Sequence, residues 1–321
     1  MDIVGIGQPI KDFLMVIDKM PAENSFTALE DYSSQGGGKV STALVAASRL
    51  GMKCAVMGTV GQDQKGRFVR DDFIRHGIDT SHLIERREGE TGYCVCLAER
   101  STQNRRFFGI RPGAGQLKEP ELDYEFLKKA RILHLETPDA VSKAAAAFAR
   151  KQGILVSMDG DPYEDEYENL KEMEAMTDIF IGSEAYFRKR AGKNGCIKDV
   201  LYEIAEKGCA VSAVTLGEKG AAAVVRGKYI EIPAYQGIEV VDTTGAGDVF
   251  HGAFLSAWRR GMDPVWCMRF ASAVSAVKCA YIGGRSGIPE WEEAVCFMDH
   301  GCIPDTKYLE ERRKFYKNMV I

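Results

Sequence analysis

Val240-Val241-Asp242-Thr243-Thr244-Gly245-Ala246-Gly247-Asp248-Val249-Phe250-His251-Gly252-Ala253-Phe254 is the stretch on which the reading of this chain turns. Its first residues are β-branched and read as a strand, and its middle is small and glycine-containing. From Asp248 onward Phe250, Ala253, Phe254, Ala257 and Trp258 recur at the i, i+3, i+4, i+7, i+8 spacing of one buried helix face. Gly261 is placed to stop that helix. A strand, a Gly-Ala-Gly turn and a helix start leave several backbone N–H groups unpaired, where the helix dipole adds partial positive charge. That is an anion site. Taken alone, Asp248 reads equally as a helix N-cap or as a carboxylate held beside a phosphate. The spacing is neither that of a Walker A loop nor that of a Rossmann fingerprint.

Working outward, composition narrows the partners. The 321 residues are 45% hydrophobic and 27% charged, ordinary for a soluble globular protein, and one large α/β unit with an appendage is expected. The net charge of -4 argues against nucleic acid or an anionic membrane as a partner. No basic-then-apolar leader opens the sequence and no apolar run approaches the ~18 residues of a membrane span, so a cytoplasmic protein is expected. The nine cysteines are scattered, with no Cys-x-x-Cys pair. Cys94 and Cys96 share a strand face, but with no His or further Cys nearby they read as buried free thiols.

Asp2 to Gly7 and Phe13 to Ile17 read as strands, as does Thr27 to Ser34, while Gly92 to Glu99 and Arg105 to Ile110 read as a hairpin around residues 100–104. Together these form a small β lid. Gly36-Gly37-Gly38-Lys39 leads into a helix from about Val40 to Leu50, closed by Gly51. Strand and helix then alternate: Cys54 to Val60, Gly66 to His76, Ile132 to Leu135, Ala140 to Gln152, Ile154 to Met158. Such alternation predicts a mainly parallel sheet covered by helices on both faces. Asp159 and Asp161 follow a strand's C-terminal end, where open α/β sheets build their sites. The run Glu164, Asp165, Glu166, Glu168 reads as a solvated helix face. Glu184 closes another strand. A helix from about Val265 to Cys279 leads to Gly283-Gly284 and the loop Arg285 to Pro289, and Glu310 to Lys317 is expected to be a charged surface helix. His251 is expected to point away from the anion site, and His134 is a strand histidine without a visible partner.

Asp242-Thr243-Thr244-Gly245-Ala246-Gly247-Asp248 with its helix resembles the second signature of the ribokinase-like (PfkB) sugar kinases. Gly36 to Lys39 with Ala43, Ala46, Ala47, Arg49, Leu50 and Gly51 resembles their first signature, and Val60-Gly61-Gln62-Asp63 with Gly66 and Gly77-Ile78-Asp79-Thr80 also matches. The resemblance runs from Gly7 to about Phe297. It implies a three-layer α/β/α sandwich with a mainly parallel central sheet and a small β-sheet lid, a single kinase domain over 1–321 with lid strands from about 12–35 and 91–111. It implies Asp248 as the base that takes the proton from a primary hydroxyl, with Gly245, Ala246 and Gly247 as the anion hole. The acceptor would be held by Asp12, Gly37, Gly38, Lys39 and Thr42, the last standing where Asn is frequent. Nucleotide contacts fall on Thr215, Gly217, Gly220, Gly245, Gly247 and Gly283, with the Arg285 loop closing over the adenine. Glu184 would order Mg2+-bound water, with Ser183 replacing the usual Asn.

The cofactors so implied are ATP and Mg2+, with K+ as a monovalent cation at Asp242, Thr244 and the following loop, where Gly287 replaces a common Ser ligand. A homodimer through the lid is also implied. The segments around Arg269, Lys278 and Arg285 look most like the sulfofructose kinase and ketohexose kinase branch. That favours a ketohexose or an anionic relative met by Arg111, although the sulfonate-binding Asn and Arg have no match near Gly109 and Thr137. Strand alternation puts Arg105 and Arg111 on one face and Arg106 on the other. The alternatives are a nucleoside or ribose kinase of the same fold, and a sugar or nucleotide sensor without turnover, which the presence of Asp248 disfavours.

Overall fold

Short apolar strands with near-continuous hydrophobic runs cannot leave either face in water, and here they pair into one large sheet. The computed structural model describes residues 1–161, 166–303 and 305–319; Glu164 and Asp165 of the acidic run lie outside them, and Glu168 is exposed as expected. The sheet comprises β1 (Ile3–Ile6), β4 (Cys54–Gly61), β5 (Asp79–Arg86), β8 (Ile132–Leu135), β9 (Leu155–Gly160), β10 (Ile179–Ser183), β11 (Val211–Thr215), β12 (Ala221–Val225) and β13 (Lys228–Ile232). Its nine strands run in the order β13-β12-β11-β10-β9-β8-β1-β4-β5. All pairings are parallel up to β11, and β12 and β13 add an antiparallel edge.

Alternate side chains feed two cores. Ile3, Cys54 and Val56 face α1 (Lys39–Arg49), α2 (Gln64–Arg75), α8 (Ala246–Arg259), α9 (Pro264–Cys279) and α10 (Trp291–His300). Val4, Ile6, Ala55 and Met57 face α3 (Tyr124–Leu127), α4 (Ala140–Lys151), α5 (Tyr167–Met173), α6 (Glu184–Ala191) and α7 (Ile197–Glu206) on the other side. Three layers result. Helices α1 and α8 cross so closely that a Cβ on Gly252 would stand 2.2 Å from the Ala43 carbonyl oxygen, which leaves room only for glycine.

A second sheet of four strands, order β3-β2-β6-β7, comprises β2 (Ile10–Ile17), β3 (Asp31–Gly37), β6 (Gly92–Glu99) and β7 (Asn104–Ile110). It covers the C-terminal edge of the large sheet through Leu14, Val16, Cys96 and Ala98, which pack on Ile282 and Val241. β7 is exposed along its whole length.

Several expectations are corrected. Residues 238–244 do not form a strand; the Val241 and Asp242 N–H groups instead bond the Cys279 carbonyl at 2.8 and 3.2 Å. The β3 strand starts at Asp31 rather than Thr27 and carries on through Gly37. The polar sequence of β5 gave it no hydrophobic signature as a strand, and it lies at the sheet edge. Between β12 and β13, Arg226 and Gly227 at φ 49° and 76° make the left-handed two-residue turn that suits a hairpin. Finally, α11 (Lys307–Asn318) is more than a surface helix, since its Leu309 and Tyr316 are fully buried. No helix among the described residues is long and apolar enough to cross a membrane.

Candidate active site

The Gly-Ala-Gly turn lies where the N-termini of α1 and α8 meet the Gly283-Gly284 loop. Gly245 caps α8 in the left-handed region at φ 76°, and a Cβ on it would stand 2.7 Å from Gly284 Cα and 3.5 Å from Thr42 Cγ2. Gly245 rather than Asp248 is therefore the N-cap, and Asp248 is the third helical residue. The Ala246 N–H already donates to the Thr243 carbonyl at 3.2 Å, so one of the expected anion-hole donors is engaged. No carbonyl among the described residues accepts from Gly247 or Asp248. These amides open a helix of fourteen residues, and its dipole points positive at this mouth.

Asp248 belongs to a row of carboxylates set along the ends of β8, β9 and β10. Burial, then the charge of Asp159, push its carboxyl well above the usual range, while the Lys39 ammonium opposes them. Glu136 follows β8 directly; its two oxygens accept from Gln8 N at 2.6 Å and Val40 N at 2.7 Å, and burial still pushes it up to about 7. The sequence reading missed Glu136, although a carboxylate just past the Ile132–Leu135 strand is the same signal that marked Asp159. Asp159 Oδ1 accepts from Asp161 N at 2.9 Å, Ser183 Oγ donates to Asp161 Oδ1 at 2.9 Å, and Lys39 Nζ donates to the Asp161 carbonyl.

His251 does not point away from this row. Its Nε2 lies 3.9 Å from Asp159 Oδ2, because residues three apart on a helix share a face. His134 is not partnerless either: its Nδ1 lies 3.1 Å from Ser157 Oγ, and the two imidazoles pack with centroids 5.3 Å apart and their planes tilted by 35°. Burial pushes both rings down to about 3, so they are neutral.

Of the predicted nucleotide residues, Thr215, Gly217 and Gly220 lie further along the same edge, whereas Gly245, Gly247 and Gly283 belong to the anion turn, where Gly283 N donates to Asp242 Oδ2 at 2.8 Å. Thr215 ends β11 beside Ser183 of β10, and Gly217 and Gly220, at φ 58° and 93°, shape the turn that follows. Ser183 caps α6, and Glu184 turns back on Arg188 and stands 3.6 Å from Lys219. The Arg188 bond holds the Glu184 carboxyl below its usual range.

On the lid side, Asp12 lies against Gly37, where a Cβ would come within 2.2 Å of its carboxylate. Asp12 Oδ1 is buried with no partner among the described residues, and burial pushes the carboxyl up to about 7 against the pull of Arg285. Gly38 caps α1 at φ 96°, and Thr42 is buried at the same helix start. Within the Arg285 to Pro289 loop, the Arg285 side chain is fully buried beneath the glycine loop. It pairs with Asp72, its Nη2 donates to the Gly37 carbonyl at 3.4 Å, and its N–H donates to Gln35 Oε1 at 2.8 Å. Asp72 also accepts from Gly36 N at 3.3 Å and from Tyr316 OH of α11 at 2.7 Å.

Cys94 and Cys96 are free, their sulfurs 3.6 Å apart, and β2–β6 pairing sets Asp12 opposite Cys94. That supplies the third donor absent from the local sequence, since the three ligand atoms lie within 4.8 Å of one another, near enough to hold a soft cation. Arg111 is exposed with no partner among the described residues. Of its neighbours, Arg106 pairs with Glu99 at 3.0 Å and Arg105 donates to the Thr243 carbonyl at 2.9 Å.

Comparison with known proteins accounts for this arrangement. The family profile for pfkB family carbohydrate kinases matches residues 2–291. The chain belongs to the pfkB carbohydrate kinase family. As a member it is a phosphotransferase with an alcohol acceptor. It is 28% identical to a nucleoside kinase of Methanothermobacter thermautotrophicus over 92% of this chain and 94% of that protein. It is 27% identical to a ribokinase of Haemophilus influenzae over 84% and 90%, and 23% identical to the ketohexokinase of Mus musculus over 88% and 97%. Its fold matches a protein described as a ribokinase from Agrobacterium tumefaciens with TM-score 0.85 and 24% identity, covering 94% of this chain and 98% of that one. A protein described as ribokinase II from E. coli, solved with ATP and Mg2+, matches with TM-score 0.80 and 20% identity over 93% and 99%. The sheet and lid of this pfkB family member are thus those of the ribokinase fold.

The monovalent cation expected at Asp242 and Thr244 can be tested against the residues present. Asp242 is buried, its Oδ1 accepting from Thr244 N and its Oδ2 from Gly283 N, both at 2.8 Å. Its carbonyl is taken by the Lys278 ammonium at 2.6 Å. A cation sharing that carbonyl would stand about 4 Å from the ammonium, a repulsion on the order of 4 kcal/mol at an effective dielectric of about 20. The donor set does not fit K+ there.

Proposed function

We propose that this protein is an ATP-dependent kinase that phosphorylates a primary hydroxyl of a neutral pentofuranose, either ribose itself or the ribose of a nucleoside. The observation that carries the chemistry is Asp248 standing on the third residue of α8 beside the unpaired Gly247 and Asp248 amides. Asp248 takes the hydroxyl proton, which requires its ionised form. The amides of Gly245, Gly247 and Asp248, backed by the helix dipole, receive the charge of the transferred group. Bound Mg2+ would neutralise phosphate charge, and the Asp161 and Glu184 carboxylates would hold its water. Thr215, Gly217, Gly220 and Gly283 line the nucleotide side.

Asp12, with an oxygen that lacks a partner, accepts from the sugar hydroxyls. Glu136 does the same from the opposite side, while Gly37, Gly38, Lys39 and Thr42 shape the floor. The neutral acceptor is supported by Arg111, whose exposed side chain builds no anion site, and by the nucleoside kinase and ribokinase relatives. A ketohexose acceptor met by Arg111 has weaker support. Coupled ADP release over pentoses, nucleosides, ketohexoses and sugar acids tests the reading. Turnover with ribose or nucleosides is expected, and efficient turnover confined to ketohexoses or sugar acids would refute the acceptor assignment while leaving the kinase assignment intact. We further propose that the exposed β7 strand, with Phe107, Phe108 and Ile110 more than half exposed, pairs two copies through the lid.

A further inference from the structure

Lys278 sits in the last turn of α9 with no exposed surface. A buried ammonium persists only where oxygens replace its water, and here the acceptor is the Asp242 carbonyl at 2.6 Å. Asp242 is the first residue of the signature that ends at Asp248, and its N–H, its carbonyl and one carboxylate oxygen are fastened to the end of α9 or the loop beyond. Its N–H bonds the Cys279 carbonyl at 3.2 Å, its Oδ2 accepts from Gly283 N at 2.8 Å, and its Oδ1 accepts from Thr244 N at 2.8 Å. At the far side of the turn, Ser275 Oγ of the same helix donates to the Ala246 carbonyl at 2.8 Å. One helix therefore grips the phosphate-facing turn at its entry and its exit. At the entry the grip is a compact point charge on a backbone carbonyl, which is what a bound monovalent cation would otherwise supply.

We propose that the Lys278 ammonium is this chain's own monovalent cation, a positioning residue that sets the Gly245 to Gly247 turn so that neither folding of the site nor turnover draws on K+. This rests on the phosphotransfer reading given above, in which that turn receives the phosphoryl charge. Lys278 touches no reacting atom; it acts through the Asp242 carbonyl. Because the charge is covalently fixed, its occupancy does not vary with the salt outside.

The test compares the full-length protein in KCl, NaCl and tetramethylammonium chloride at equal ionic strength, with Mg-ATP, by thermal melting and by ADP release with ribose. The melts need no acceptor, so they report on Lys278 even if the acceptor reading fails. Wild type is expected to show the same Tm and the same rate in all three salts, since a site that bound K+ would be stabilised by it through mass action. Lys278→Met is expected to lose about tenfold or more in kcat in tetramethylammonium, and to regain rate and Tm specifically on adding K+, a response that a merely structural lysine would not create. Should Lys278→Met fail to fold, Lys278→Arg, which keeps the charge, is expected to stay insensitive to the cation. A K+-specific rise in the Tm or rate of wild type overturns the proposal. So does a folded Lys278→Met with wild-type kcat and Tm in tetramethylammonium.

Discussion

Asp248→Asn separates the chemical role of the carboxylate from any structural one. The cap of α8 is Gly245, and the Asp248 side chain bonds no backbone N–H among the described residues, so the substitution removes no helix cap. An amide cannot accept the hydroxyl proton, and general-base catalysis is typically worth ~10²–10⁴ in rate, about 3–5 kcal/mol on the barrier. The stability effect has a definite sign. Burial and Asp159 raise the folded-state pKa above the unfolded one, so the folded protein binds this proton more tightly. The favourable contribution is complete below the ordinary carboxylate pKa of about 4 and is lost as pH rises through the raised value. Raising the pH above about 4 therefore costs the folded state stability at this position, and Asn should raise Tm at pH 8 while matching wild type at about pH 4. Steady-state kinetics and melts at both pH values test the two halves separately. A variant retaining more than about a tenth of kcat, short of even the lower bound for a general base, would place the base elsewhere. A Tm advantage that grows toward low pH would refute the electrostatic reasoning.

Three further outcomes are expected. Asp72→Ala should leave the Arg285 guanidinium buried and unpaired, at about 3–5 kcal/mol by denaturant titration; a loss below about 1 kcal/mol would mean that Arg285 has other support. Arg111→Ala should leave the KM for a neutral acceptor unchanged, and a several-fold rise would put Arg111 in the pocket. Light scattering at micromolar protein should give a dimer mass that Phe107→Asp with Phe108→Asp converts to a monomer; a monomeric wild type would remove the lid interface.

The phosphoryl half of the site was legible because its requirements are local. A left-handed glycine cap, a small turn and an amphipathic helix follow each other within the stretch 245–258, and each leaves a mark on the residues themselves. The carboxylates past strand ends are legible for the same reason, and Glu136, directly after Ile132–Leu135, bears the same mark as Asp159. His251 shares a face with Asp248 because a three-residue step on a helix nearly completes a turn. Lys278 was hidden in a helix whose other buried positions are apolar, since a lysine in a sequence reads as exposed. The expectation of a strand before the signature failed because Val241 packs in a loop against the lid, with its N–H on the Cys279 carbonyl of α9.

The acceptor half is built from contacts across long stretches of chain, which is why its support could not be read from the sequence. Asp72 meets Arg285 across 213 residues and Tyr316 across 244. Tyr316 lies beyond the segment matched by the family profile, yet its hydroxyl reaches the carboxylate that fixes Gly36 and, through Arg285, Gly37. The two halves should then respond differently to substitution. Tyr316→Phe keeps the ring and deletes two hydrogen bonds, one with His76 Nε2 at 2.6 Å and one to the Asp72 carboxylate at 2.7 Å, the charged one alone worth about 1.5–3 kcal/mol in stability. It leaves the Gly245 to Gly247 turn and Asp248 untouched. The acceptor loop loosens while the base and the phosphate-facing amides stay in place, so the KM for the acceptor should rise several-fold, with kcat and the KM for ATP held within about twofold, under 0.5 kcal/mol. Equal losses in kcat and acceptor affinity would show that the α11 network reaches the phosphoryl half as well, and that the two halves of the site are not mechanically separate.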